Sequence, residues 1–192
     1  MTALRPESGS SVNRRGLLRN GLLVGLGATV ASVAVPGLTG VARATGSVQA
    51  DWFWCNKCTL LFWSKTGGQY GVCPTGGSHT NSESYQYELE HDYGSQSGYQ
   101  NGWRYCSACA VLFWGPDIDS SACPAQTYSH LLISATVYDL QMGGSGGQAG
   151  WNWCDWCQGL FHGSGNPAGF CWGRQDKHLP SSSTDYHIYQ SG

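Results

Sequence analysis

Nine cysteines and three of the six histidines in this 192-residue chain fall into one pattern, repeated three times. Cys55-x-x-Cys58 is followed by Cys73 and His79, Cys106-x-x-Cys109 by Cys123 and His130, and Cys154-x-x-Cys157 by Cys171 and His178. From second cysteine to histidine is 21 positions in every copy. Thiolate sulfur and imidazole nitrogen are the donors zinc favours, and four of them complete its tetrahedron. Each copy therefore holds the ligands for one structural zinc ion, three in all.

Disulfides are the competing use of cysteines. Nine is odd, and three per copy cannot pair among themselves. A Cys-x-x-Cys turn offers two thiolates from one side, and a disulfide has no use for a histidine at fixed spacing. Iron fits the same ligands as a further alternative and would colour the protein. A catalytic zinc keeps three protein ligands and an open position, whereas four recurring ligands close the site. No acid or base recurs beside them. Glu88, Asp139 and His187 occupy one shared position, which reads as tolerant surface.

The elements that must position these ligands are legible around them. Trp52-x-Trp54, Trp103-x-Tyr105 and Trp151-x-Trp153 precede each Cys-x-x-Cys with the alternation of a half-buried strand. Leu61-Phe62-Trp63, Leu112-Phe113-Trp114 and Leu160-Phe161-His162 follow as the returning arm of a hairpin. Tyr87-x-Leu89, Tyr138-x-Leu140 and Tyr186-x-Ile188 close each copy as a further strand, 32 positions after its first cysteine. The β-branched residues between Leu131 and Leu140 favour strand there as well. The fold class read from this is all-β: three tandem zinc-ribbon-like hairpin repeats. They can pack about a pseudo-threefold axis or sit as beads on glycine linkers.

The repeats span residues 51–93, 102–141 and 150–192, joined by the runs Gly94-Ser95-Gln96-Ser97-Gly98 and Gly143-Gly144-Ser145-Gly146-Gly147. Residues 45–50 read as a loose arm. Residues 1–44 read as an export signal. Asn13-Arg14-Arg15-Gly16-Leu17-Leu18-Arg19 has the twin-arginine form, an apolar run of 15 residues leads from Gly21 to Val35, and Ala42-Arg43-Ala44 is a small-x-small cleavage site. The run is short of the roughly 20 residues a spanning helix needs. The expected course is passage through the twin-arginine translocase, secretion, and no membrane attachment after cleavage. Cargo of that route folds beforehand, so zinc can load in a reducing compartment.

Beyond the signal, five Lys and Arg face eleven Asp and Glu, a formal charge of −6. Nucleic-acid binding needs clustered positive charge, so that partner is not expected. His91, beyond the last strand of its copy, reads as solvated, His162 as a packing residue and His187 as a strand residue. Aromatics at matched positions read as module cores. Trp156, inside the third Cys-x-x-Cys, and Trp172, after Cys171, have no counterparts. They form a candidate ligand platform, against the alternative of burial on the second repeat.

At these residues the chain resembles a tryptophan/cysteine repeat of secreted actinobacterial proteins, of the form W-x-W-C-x2-C-x2-L-F…C-P…H…Y-x-L, and the zinc-ribbon class more broadly. The resemblance covers nearly all of the chain after residue 44. Trp172 in place of proline and His162 in place of an aromatic are departures from it. It implies no settled activity. The residues themselves point to a zinc-stabilised binding protein without catalysis, its ligand a glycan or cell-envelope polymer. The alternatives are a structural or protein-interaction module at the cell surface and, less favoured, a zinc hydrolase.

Overall fold

The computed structural model describes residues 46–64, 70–163, 169–181 and 184–191. The signal reading of residues 1–44 lies outside them. Nine strands are described: β1 (Ser47–Trp54), β2 (Leu61–Trp63), β3 (Gln86–His91), β4 (Tyr99–Tyr105), β5 (Leu112–Trp114), β6 (Tyr138–Met142), β7 (Gln148–Trp153), β8 (Leu160–His162) and β9 (Tyr186–Gln190). A short 3-10 helix, Gly115–Ser120, follows β5, with Pro116 in its first turn.

Each repeat is one three-strand unit. Its first strand pairs antiparallel with the short second strand, and on its other edge with the third: β1 with β2 and β3, β4 with β5 and β6, β7 with β8 and β9. The third strands then pair with one another. The end of β3 meets the start of β6 (His91 opposite Tyr138), the end of β6 meets the start of β9 (Met142 opposite Tyr186), and the end of β9 meets the start of β3 (Gln190 opposite Tyr87). The three registers occupy equivalent positions, so the pairing closes as a cycle rather than running as beads on a string.

Every first strand carries an irregularity at the same place. The residues there, Asp51, Gly102 and Gly150, have φ of 67°, 123° and 90°. A bulge of one residue turns side chains three apart onto one face. It brings Gln49 beside Trp52, Gln100 beside Trp103 and Gln148 beside Trp151. The tyrosine of the following repeat closes on both members. Tyr138 packs edge-on against Trp52 at 5.2 Å and donates its hydroxyl hydrogen to Gln49 Oε1. Tyr186 does the same with Trp103 (5.3 Å) and Gln100, and Tyr87 with Trp151 (5.2 Å) and Gln148. With Leu89, Leu140 and Ile188 these rings form a core shared by all three repeats, and the three tryptophans are fully buried.

Three expectations need correction. Residues 47–50 are strand, not a loose arm: Ser47, Val48 and Gln49 pair with His91, Glu90 and Leu89. Of the stretch 131–140 only Tyr138 onward is strand. His91 is not simply solvated. It ends β3, its Nδ1 lies 2.8 Å from Asp92 Oδ2, and its ring meets Tyr138 edge-on.

Burial pushes the phenols of Tyr87 and Tyr186 up to about 12. Unfolded, they titrate near 10. Their contribution is therefore complete below about pH 10 and is lost as pH rises toward 12. Denaturant midpoints of the zinc-loaded protein should fall across that window, less steeply in Tyr186→Phe. A midpoint independent of pH there would show that the phenols are not sealed in.

Candidate metal centres

Each Cys-x-x-Cys sits in the tight turn between the first two strands of its repeat. Cys55 N–H donates to the Leu60 carbonyl (3.0 Å) and Thr59 N–H to the Cys55 carbonyl (2.7 Å). The same two bonds recur at Cys106 and Ala110, and at Cys154 and Gln158. Closing so tight a turn puts the residue after the second cysteine at positive φ: 65° at Thr59, 69° at Ala110 and 61° at Gln158. That left-handed conformation is disfavoured for residues with a Cβ, so the surrounding bonds must hold it. The later loop of each repeat brings the third cysteine and the histidine over this turn.

The twelve side chains meet as three groups: Cys55, Cys58, Cys73 and His79; Cys106, Cys109, Cys123 and His130; Cys154, Cys157, Cys171 and His178. Within each group all ligand atoms lie within 4.8 Å of one another. Sulfur pairs stand 4.0, 3.8 and 3.7 Å apart (Cys55–Cys73, Cys106–Cys123, Cys154–Cys171). Histidine Nδ1 lies 3.4, 3.4 and 3.5 Å from the second cysteine's sulfur. Zn–S and Zn–N bonds of about 2.3 and 2.0 Å at tetrahedral angles place sulfurs about 3.8 Å apart, and sulfur and nitrogen about 3.5 Å apart. The observed edges match that tetrahedron. Disulfide sulfurs would stand about 2.0 Å apart, and all nine cysteines are free thiols.

The electrostatics ask for a cation. Hydrogen bonds from Cys58 and Cys73 hold the Cys55 thiol far below its ordinary range, while burial drives Cys58 well above it. The second cluster splits the same way between Cys106 and Cys109. Three packed thiols cannot all ionise unaided; a divalent ion at their centre makes all three thiolates stable. No ligand residue is more than 4% exposed. Four buried donors per ion leave no coordination position facing solvent, the arrangement of a structural site. The clusters are three zinc-binding structural units.

Each imidazole is fixed from both sides. Its face stacks on the central phenylalanine of its own hairpin: His79 on Phe62 at 4.8 Å, His130 on Phe113 at 4.5 Å, His178 on Phe161 at 4.8 Å. With Nδ1 toward the sulfurs, Nε2 carries the proton and donates it to a backbone carbonyl, at 3.1, 3.0 and 3.1 Å. That bond selects the tautomer whose Nδ1 lone pair is free for metal. The carbonyl partner is not legible in the sequence, because main-chain acceptors leave no mark in residue type.

The other singled-out residues lie apart from the ligand sets. His162 packs edge-on against Trp151 and Trp54, and its Nε2–H donates to the Ala149 carbonyl (3.2 Å), as Trp63 Nε1–H does to the equivalent Ala50. His187 Nδ1–H donates to the Gly146 carbonyl. Trp156 and Trp172 are 52% and 40% exposed, so neither is buried against the second repeat. Their loops touch: a Cβ at Gly173 would stand 2.7 Å from the Trp156 carbonyl oxygen. The Arg174 guanidinium lies 6.0 Å from the centre of the Trp156 ring. Gln49, Gln100 and Gln148, each three residues before a core tryptophan, went unnoticed in the sequence although they recur in every copy. No protein-family model, no curated protein and no solved structure matches the chain, so its standing as a zinc protein comes from its own three ligand tetrahedra.

Proposed function

We propose that this is an exported, non-catalytic binding protein whose three zinc units serve as a rigid scaffold for a ligand surface on the third repeat. The observation that carries the reading is the Trp156–Trp172 pair. Matched tryptophans at positions 52, 103 and 151 are sealed in the core, yet these two unmatched ones stand open on adjoining loops of one metal unit. Exposed aromatic planes beside a guanidinium suit the apolar faces and hydroxyls of a sugar ring. The ligand class is therefore a glycan or cell-envelope polymer. The twin-arginine pattern at residues 13–19 supports export to where such polymers lie. The closed ligand sets support a role without hydrolysis.

Co-sedimentation of the zinc-loaded protein with insoluble polysaccharides, followed by a glycan array, tests the reading. Binding should weaken at least tenfold in Trp156→Ala/Trp172→Ala, because exposed aromatic anchors carry most of such an interface, while the fold and zinc content stay the same. Failure of the native protein to bind any polymer, or equal binding by the double variant, removes it. A second reading, a protein-interaction module, is favoured by the run Leu131, Leu132 and Ile133 in the second repeat, exposed at 40%, 41% and 74%. A protein partner lost on Ile133→Asp would select it.

A further inference from the structure

The carbonyls that orient the three histidines do not belong to the histidines' own clusters. His79 donates to Cys109 O, His130 to Cys157 O, and His178 to Cys58 O. In each case the acceptor is the main chain of a cysteine that ligates the next metal, and the third bond returns to the first cluster. A parallel set of main-chain bonds runs the same way. Trp63 N–H donates to Ala110 O (2.9 Å), Trp114 N–H to Gln158 O (2.8 Å) and His162 N–H to Thr59 O (3.0 Å). These acceptors are the positive-φ residues that complete each Cys-x-x-Cys turn. Two of the later loops also press on the next turn. A Cβ at Gly71 would stand 2.2 Å from Cys109 O, and one at Gly169 2.0 Å from Cys58 O.

The consequence follows from what a metal does to such a turn. Two zinc–sulfur bonds lock the turn, and with it the direction of the second cysteine's carbonyl. That carbonyl sets the tautomer and tilt of the preceding cluster's histidine. An empty site releases its turn, loosens the carbonyl and leaves the neighbouring histidine free to present the wrong nitrogen. Coupling of this kind is reciprocal. We infer that the three metal sites are linked in a closed cycle, so that zinc enters and leaves them as a set and not site by site.

Native mass spectrometry of the zinc-loaded chain lacking residues 1–44, titrated with a competing chelator, reads the link directly. Three equal and independent sites at half extraction leave about three quarters of the molecules with one or two ions. The linked cycle should instead leave mainly empty and fully loaded molecules, with the partly loaded forms below about a quarter. Partly loaded forms at or above the independent proportion overturn the inference. His79→Cys then separates this link from simple shared folding. A thiolate still completes a zinc set, but the donor to Cys109 O is gone, so partly loaded forms should rise at least twofold. His130→Cys and His178→Cys cut the other two links and should do the same. Variants that take up three ions yet keep the native all-or-none populations also overturn it. If none of the three takes up three ions, the native populations alone decide.

Discussion

Stripping the metal is expected to unfold the whole chain. A structural zinc site contributes an apparent stabilisation on the order of 10–16 kcal/mol, and an entire domain is stable by only about 5–15 kcal/mol. Three such ions hold turns whose residues Thr59, Ala110 and Gln158 sit in a conformation they would otherwise leave. Each cluster also gathers three buried thiols and an imidazole that have no other reason to stay together. Excess chelator should therefore abolish the β circular dichroism signal and shift the tryptophan emission to that of water-exposed indole. Restoring zinc under reducing conditions should reverse both changes. Cys58→Ser, which removes one ligand, should lower the thermal midpoint further than any substitution outside the clusters. A metal-free chain that keeps native strand content and emission would show that the core holds the fold by itself.

The second large effect lies in that core. Trp103→Ala should cost about 3–5 kcal/mol, the range for deleting a fully buried large aromatic. The ring is entirely buried and meets Tyr186 at 5.3 Å and Trp114 at 5.6 Å. Its Nε1–H donates to Gln100 Oε1 at 3.0 Å, the oxygen that also receives the Tyr186 hydroxyl. The substitution opens a cavity between the second and third repeats and takes one donor from the partly buried Gln100 amide. Trp156→Ala provides the contrast: with half its surface in water, it should change stability by no more than about 0.5 kcal/mol. Denaturant titration at saturating zinc measures both. Similar costs for the two would mean that the shared core does not bind the repeats together.

The sequence displayed the local parts of this molecule well. Cysteine and histidine spacing marks the ligand sets because a metal leaves its geometry in residue type. The Trp-x-Trp and Leu-Phe-Trp patterns mark the hairpins because one face of each strand must be dry. What escaped notice was either non-local or hidden in the backbone. Residues 47–50 looked like a loose arm because Asp51, and glycine at 102 and 150, interrupt the alternation. Those interruptions are bulges that extend the strand and bring Gln49, Gln100 and Gln148 to the tyrosines. The mutual pairing of β3, β6 and β9 joins residues as far apart as Tyr87 and Gln190 and has no signature in any single repeat. The apolar run after His130 suggested strand through its β-branched content, but Arg104 Nη1 donates to the carbonyls of Ala135 and Thr136 in place of a ladder partner.

The ring of third strands also determines what the molecule shows to its surroundings. Among the described residues, each long first strand has a neighbour on both sides, and β3, β6 and β9 are hydrogen-bonded to one another as well as to their own hairpins. Only β2, β5 and β8 lie at the periphery. Each is three residues long and is bonded at its far end to the following repeat's turn. A β-rich protein ordinarily risks templating aggregation along an open ladder. Among the described residues the strands at the periphery are thus the three shortest, so the sheet offers another chain only short lengths of open ladder.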